Sequence, residues 1–197
     1  ETIFAQLNRI TKVGYDAHAS QDNSTALGYS AISNVNNKVR LGSSAVTVIE
    51  GQVAYSFPSD GRFKFNVQDN VPGLSFIEGL RPVTYQFDLP KYDQHIRTQE
   101  QTVSALLDTR YQNQLQAGTT SIHTGFIAQE VEIAAQESGF DFDGVVKPQN
   151  EKDNYGLRYA EFVVPLVKAV QELNAENKSL REALLQQQVI NASFQAQ

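Results

Sequence analysis

Val13-Gly14-Tyr15-Asp16-Ala17, Leu27-Gly28-Tyr29-Ser30-Ala31 and Leu41-Gly42-Ser43-Ser44-Ala45 align at a spacing of 14 residues, with an apolar residue, a glycine and an alanine in register each time. A unit this short cannot bury a core alone and becomes stable when successive copies stack. Gly14, Gly28 and Gly42 can take the corner conformations at positive φ that other residues resist. The segments between them, such as Ser20-Gln21-Asp22-Asn23-Ser24, are turn formers. Residues 1–58, with the repeat running to about residue 50, therefore read as a β-roll or β-solenoid stalk. Its thin apolar content fits an oligomer whose copies complete one another. Tyr15 and Tyr29 recur at the repeat spacing, which predicts ring stacking rather than ligand binding.

The other end of the chain follows a different period. From Tyr159 onward, Val163, Leu166, Val170, Leu173, Asn177, Leu180 and Leu184 fall on a 3-4 spacing, and Gln187 and Asn191 continue it in polar form. This is a heptad seam. Between Glu172 and Gln188 every residue off the seam except Leu185 is polar or small, and so narrow an apolar stripe needs a partner helix. Residues 159–197 thus read as a coiled-coil helix, with Asn177 setting register and strand number at some cost in stability. Pro165 must lie near the helix start, because deeper placement costs about 3 kcal/mol.

Residues 59–158 read as a mixed α/β body, which makes the whole chain α+β. Phe63-Lys64-Phe65-Asn66-Val67 and Val83-Thr84-Tyr85-Gln86-Phe87 alternate like strands, and Ile122 to Phe126 reads as another. Leu74 to Leu80 predicts a short helix, Thr98 to Leu115 a longer one, and Ala128 to Ser138 a third ended by Gly139. Asp141 to Tyr155 reads as a loop.

Composition excludes several functions. With 16 basic against 22 acidic residues and a net charge of −6, the chain has no basic field for tracking phosphates, so nucleic acid is not an expected partner. Cys, Met and Trp are absent from the 197 residues, which removes disulfides, thiolate metal sites and a cysteine nucleophile. A chain that starts at Glu1 and lacks Met reads as a fragment or a processed product. No run of about 18 apolar residues predicts a membrane span, and the N-terminus does not resemble a signal peptide. His18, His95 and His123 are scattered without metal-ligand spacing, and Asp141 and Asp143 lack the rest of a calcium loop. No phosphate cradle, nucleophile elbow or facing carboxylate pair stands out. Neither metal nor cofactor is expected.

One segment carries candidate chemistry: Ser59-Asp60-Gly61-Arg62-Phe63-Lys64, where the repeat has stopped. Five residues apart on one strand, Ser59 and Lys64 would point to opposite faces. A turn at Asp60-Gly61 folds Ser59 back toward a following strand that carries Lys64. Lys64 is then placed to take the Ser59 hydroxyl proton, the Ser-Lys form of an activated nucleophile.

Ser59-Asp60-x-Arg62-x-Lys64 is followed by Val71-Pro72-Gly73-Leu74, by Leu80-Arg81-Pro82-Val83-Thr84-Tyr85, by Gly125-Phe126-Ile127-Ala128-Gln129-Glu130-Val131, and by Tyr159 with Pro165-Leu166-Val167-Lys168-Ala169-Val170-Gln171-Glu172-Leu173. In this order the motifs resemble the intramolecular chaperone domain of endosialidases and phage tail fibres, the S74 peptidase family, over residues 59–197. The upstream repeats look like the head repeats of trimeric adhesins and bacteriophage fibres.

The resemblance implies a C-terminal domain that trimerises, with residues 159–197 as a parallel trimeric coiled coil, guides its own N-terminal fibre into register as a folding client, and then releases itself by autoproteolysis at Pro58-Ser59. Ser59 would be the nucleophile and Lys64 the general base, with Asp60 and Arg62 in support, holding the turn or stabilising charge on the carbonyl oxygen. The enzyme would be a single-turnover serine peptidase. A lysine works as a base only when neutral, which asks for a pKa lowered from about 10.4 toward 7 to 8, or roughly 4 kcal/mol of environment. A closed trimer interface can supply that, so cleavage is expected to follow assembly. The ring of Pro58 restricts approach to the scissile carbonyl, and the alternative is a permanent, non-cleaving trimerisation anchor or fibre tip. The implied setting is a virion tail fibre or a cell-surface fibre, folded in the producing cell's cytoplasm if phage-derived. Lys91 to Thr120, rich in Gln, is expected to reach the stalk as a clamp.

Overall fold

A computed structural model describes residues 9–195, apart from the side chains of residues 100, 103 and 104. The first eight residues of the expected stalk and the last two of the expected coil lie outside that description. The chain is mixed α/β with a long C-terminal helix. Its helices are α1 (Leu74–Ile77), α2 (Leu89–Ile96), α3 (Gln99–Leu107), α4 (Thr109–Gly118), α5 (Ala128–Glu137) and α6 (Val163–Gln195). Two compact units form, each from three separate stretches of chain.

In the unit made of Glu1–Ser59, Val83–Gly125 and Lys147–Tyr155, the 14-residue repeat reappears as strand register. β1 (Ile10–Val13) pairs in parallel with β3 (Ser24–Leu27), and β3 with β5 (Val39–Leu41), so that Ile10 lies opposite Ser24 and Thr25 opposite Val39. A second parallel pair, β2 (His18–Ala19) with β4 (Ile32–Ser33), sets His18 opposite Ile32. Equivalent residues therefore stack. Ala19, Ala26 and Ala31 are buried between these short strands, where larger side chains would not fit.

The corners follow the same period. Gly14, Gly28 and Gly42 have φ of 130°, 112° and 76°, and a Cβ on Gly14 would lie 2.5 Å from the Gly28 carbonyl oxygen. Two further corners recur at the same period, one of them in the turn-forming segment 20–24. Asp16 and Ser30 share one left-handed position, and Asn23 and Asn37 share another. Each pair is 14 residues apart and hydrogen-bonded, Ser30 Oγ to Asp16 Oδ2 at 3.1 Å and Asn23 Nδ2 to Asn37 Oδ1 at 2.8 Å. Asp, Asn and Ser side chains offset the cost of positive φ with local bonds of this kind. The Tyr15 and Tyr29 rings stack as expected, with centroids 6.0 Å apart and planes within 6°.

The same unit holds the antiparallel pair β6 (Val83–Gln86) and β7 (Ile122–Gly125), close to the predicted strands. The predicted helix from Thr98 to Leu115 is two helices. Asp108 leaves helical geometry at φ −88°, ψ 89°, and its carboxylate accepts the Tyr111 N–H at 3.0 Å, ending α3 and capping α4. α2 was not anticipated; it starts at Asp88, which caps the Lys91 N–H, with Pro90 in the first turn.

The second unit comprises Asp60–Pro82, Phe126–Val146 and Gly156–Gln197. Its core is aromatic: Phe76, fully buried, meets Phe140, Phe142 and Phe162 at centroid distances of 5.3, 4.9 and 6.3 Å, under Val131, Ala134 and Ala135 of α5. α5 stops near Gly139, at φ 67°, as expected. The stretch expected to be all loop contributes β8 (Val145–Val146), paired antiparallel with β9 (Gly156–Leu157). Pro165 is the third residue of α6, where its missing N–H costs nothing. The predicted strand Phe63–Val67 is not one. A 3-10 turn over Gly61–Phe63 and a left-handed Asn66, at φ 52°, replace it, and alternation alone cannot make a strand that has no ladder partner.

Candidate functional site

The turn expected at Asp60-Gly61 is present, and Asp60 builds it. The Asp60 carboxylate accepts the Arg62 backbone N–H at 2.9 Å, and the Phe63 and Lys64 N–H groups donate to the Asp60 and Gly61 carbonyls at 3.1 and 3.2 Å. The Arg62 guanidinium folds back on the same carboxylate, with Nη2 to Oδ2 at 2.6 Å. Hydrogen bonding from Arg62 holds the Asp60 carboxyl below its ordinary range, and Asp60 raises Arg62 in turn. The charge of Arg62 is thereby matched locally. Pro58 and Ser59 precede this turn and Lys64 follows it, and all of residues 46–70 are exposed.

Residues of the other sequence motifs meet in the second unit. Arg81 donates to Glu130 from Nη2 at 2.5 Å and from Nε at 3.1 Å. The Phe126 N–H donates to the Tyr159 hydroxyl at 3.2 Å, and the Leu74 N–H donates to Glu172 Oε2 at 2.7 Å. Gly73 is needed where it stands, because a Cβ there would lie 2.4 Å from that Glu172 oxygen and 2.7 Å from the Ala169 nitrogen.

This docking gives the start of α6 two faces. Pro165 and Ala169 are buried, while Val163, Leu166, Val170 and Leu173 are exposed, as are Asn177, Leu180 and Leu184 further along. The seam positions thus form a row that nothing in the described chain covers, and Asn177 donates to the Leu173 carbonyl of its own helix at 2.8 Å.

In the first unit, the helices within Lys91 to Thr120 and the loop at 147–155 hold the repeat segment. Asn34 donates to the carbonyls of Ile96 and Lys152 at 3.1 and 2.7 Å, and Arg40 donates to the Tyr92 hydroxyl at 3.0 Å. Tyr29 donates to Asp108, which pushes the phenol up to about 12. Lys38 reaches Asp153 at 2.5 Å. Arg97, 1% exposed, pairs with Asp93 at 2.6 Å and donates to the carbonyl and hydroxyl oxygens of Ser30, the left-handed corner residue.

A further feature escaped the sequence reading. Ile49, Val53, Tyr55 and Phe57 alternate with Glu50, Gln52, Ala54 and Ser56, a strand signature with Gly51 in step, yet the segment joins no ladder and all of it is exposed. The period-2 pattern was the signal available. The three histidines sit apart, His18 with Asp16, His95 with the Asp153 carbonyl and His123 beside Tyr85. Among the described residues no cluster of His, Asp and Glu is placed to hold a metal ion, and no helix is long and apolar enough to cross a membrane.

Compared with known proteins, residues 59–140 match the family model described as chaperone of endosialidase. No curated protein and no solved structure gives a significant match. The match opens on Ser59 and takes in the turn, the Arg81–Glu130 pair and the helices that grip the repeat; over this segment the chain is similar to the S74 peptidase family of endosialidase chaperones.

Proposed function

We propose that this chain is the C-terminal end of a fibre together with its intramolecular chaperone, which brings three copies into register and then cuts itself free before Ser59. One observation carries the reading: the family match begins at Ser59, the residue immediately before the Asp60-capped turn. Residues 1–58 are then the client, a β-solenoid stalk; residues 59–158 are the chaperone body; and residues 159–197 form a parallel three-stranded coiled coil through Val163, Leu166, Val170, Leu173, Asn177, Leu180 and Leu184. The setting is a virion tail fibre or a cell-surface fibre.

In the cut, Ser59 Oγ attacks the Pro58 carbonyl carbon while Lys64 takes the hydroxyl proton. That proton passes to the Ser59 nitrogen as the C–N bond breaks, leaving the Pro58 acyl group as an ester on Ser59 Oγ. Water hydrolyses the ester to a Pro58 carboxylate and a product that begins with a free Ser59 amine. Asp60 and Arg62 act as positioning residues, holding the turn between nucleophile and base. With the Arg62 charge matched by Asp60, the environment that keeps a lysine neutral comes from burial on assembly.

The grip on the repeat supports the client assignment. Arg97 binds the Ser30 corner, and Tyr29 and Asn34 of the repeat donate to Asp108 and to the Ile96 and Lys152 carbonyls of the body, so registration reads the geometry of a folded rung. The Pro58 ring favours a second reading, a permanent trimeric anchor without proteolysis. Mass spectrometry of freshly made chain separates the two. Cleavage gives a fragment starting at Ser59, absent from Ser59→Ala and Lys64→Ala. An intact mass for all three chains would end the protease reading and leave the anchor.

A further inference from the structure

The segment from Val46 to Phe57 is exposed throughout and forms neither helix nor ladder, although it is rich in large apolar residues. Val53, Tyr55 and Phe57 are 84%, 78% and 73% exposed. It follows the last strand of the stack, since β5 is an edge strand with only β3 beside it. Beside that edge lies an open groove of about 660 Å³ lined by Val39, Leu41, Val46, Val48, Ile49 and Tyr92, among others. The groove thus joins the edge strand to Ile49, the first residue of the alternating row.

We infer that this row is an interchain strand, covered by the same residues of two further copies, so that Ile49, Val53, Tyr55 and Phe57 of three chains close on a common axis immediately before the cut. The inference rests on the trimeric reading above. Size agrees with it. An aromatic side chain covers roughly 150–250 Å², and with the two aliphatic residues Ile49 and Val53 beside Tyr55 and Phe57 the row supplies the larger part of the ~800 Å² that each partner gives to a standard interface. A monomer's largest apolar patch is usually about 300–600 Å² and functional.

Charge points to a second copy as well. Glu50 is the sole ionic residue from Val46 to Ser59, and it lies on the polar side of the alternation. The row offers no charge pattern that selects a foreign partner. Identical apolar rows are complementary to one another under rotation, as a cyclic oligomer requires. A strand this apolar with open edges is an aggregation hazard unless covered. The exposed seam of α6 asks for the same symmetry from the other end of the chain.

The natural chain has no cysteine, so one introduced thiol reports contact between copies. In the full-length Ser59→Ala chain, each residue from Val53 to Phe57 is replaced singly by Cys and oxidised with copper phenanthroline, with Leu180→Cys on the coil as the reference. We expect covalent dimers at Val53, Tyr55 and Phe57 in several-fold higher yield than at Ala54 and Ser56. Crosslinking at Leu180 without that alternation would overturn the interchain strand and leave the trimer standing. Crosslinking at neither place, with a monomer by light scattering, would sink both.

Discussion

Arg97 and Asp93, one helical turn apart at the end of α2, form an ion pair almost wholly out of water, with side chains 1% and 4% exposed. Tyr111 donates to Asp93 Oδ1 at 2.6 Å and receives Arg97 Nη2 at 3.1 Å, and Arg97 goes on to Ser30 at 3.0 Å. Burial opposes the charge on Arg97, but hydrogen bonding and attraction from Asp93 outweigh it and hold the guanidinium above its ordinary value. Breaking such a pair on one side leaves a lone buried charge, which costs about 3–5 kcal/mol. Arg97→Met is therefore expected to destabilise the unit that contains the repeat by about that much. The double variant Asp93→Leu, Arg97→Met should recover much of the loss. Denaturant unfolding followed by Tyr fluorescence checks both, and equal losses in the two variants would contradict the account.

The Lys38–Asp153 bridge makes the grip of the 147–155 loop depend on acid. Burial alone would raise Asp153, but Lys38 and the backbone N–H groups of Gln149 and Asn154 hold its carboxyl below the ordinary value. A depressed carboxylate contributes stability that is full above the unfolded value of about 3.9 and is lost as pH falls through the folded value. Amide exchange in residues 147–155 should stay slow from pH 7 to pH 5, once intrinsic rates are removed, and quicken below about pH 4. Asp153→Asn is expected to abolish the step.

Gly73 sits against α6 with no room for a methyl group. Gly73→Ala forces Glu172 off the Leu74 N–H and pushes on the Ala169 backbone, and overpacking of this kind costs about 1–3 kcal/mol. A lower melting temperature, with Ser75→Ala as a neutral control on the exposed side of α1, is the expected result.

On the proposed function, assembly precedes the cut. Leu173→Ser with Leu180→Ser removes two apolar layers of the seam. The expected outcome is a monomer by light scattering and an uncut chain on a denaturing gel, with Ser59 and Lys64 unchanged. Rapid cleavage by that monomer would show that the turn is competent alone. Asn177→Val should act the other way, stabilising the coil while loosening its register and strand number.

Periodicity made the two ends of the chain legible in advance. Gly14, Gly28 and Gly42 gave a spacing that became strand register, and the seam residues of α6 are exposed because a stripe that narrow has no partner in its own chain. The middle was harder. Asp108 is polar in a helical run, and only its role as a cap splits α3 from α4. Phe63 to Val67 alternates like a strand, but pairing is a tertiary fact and Asp60 turns the chain instead. The corners at Asn23 and Asn37 lie in the same repeat as the glycines, and turn composition marks the segment of Asn23 without showing which residue takes positive φ. The Arg97–Ser30 contact spans 67 residues, beyond the reach of any local pattern. Within the candidate site, the turn was legible from Asp60-Gly61. The exposed row before it is equally readable at period 2.

The stacked glycines have one more consequence, for how such a chain can change in length. The space a side chain would fill at Gly14 is taken by the backbone of Gly28, and Gly28 stands in the same way against Gly42, whose Cα would lie 3.3 Å from its Cβ. Each rung therefore presents its neighbour with the same surface. Inserting a whole 14-residue unit keeps the glycines in register, whereas inserting 13 or 15 sets a side chain against the place where a glycine stood. The column is a ruler graduated in single rungs, and chains of this design can be made longer or shorter by duplication or loss of whole 14-residue units.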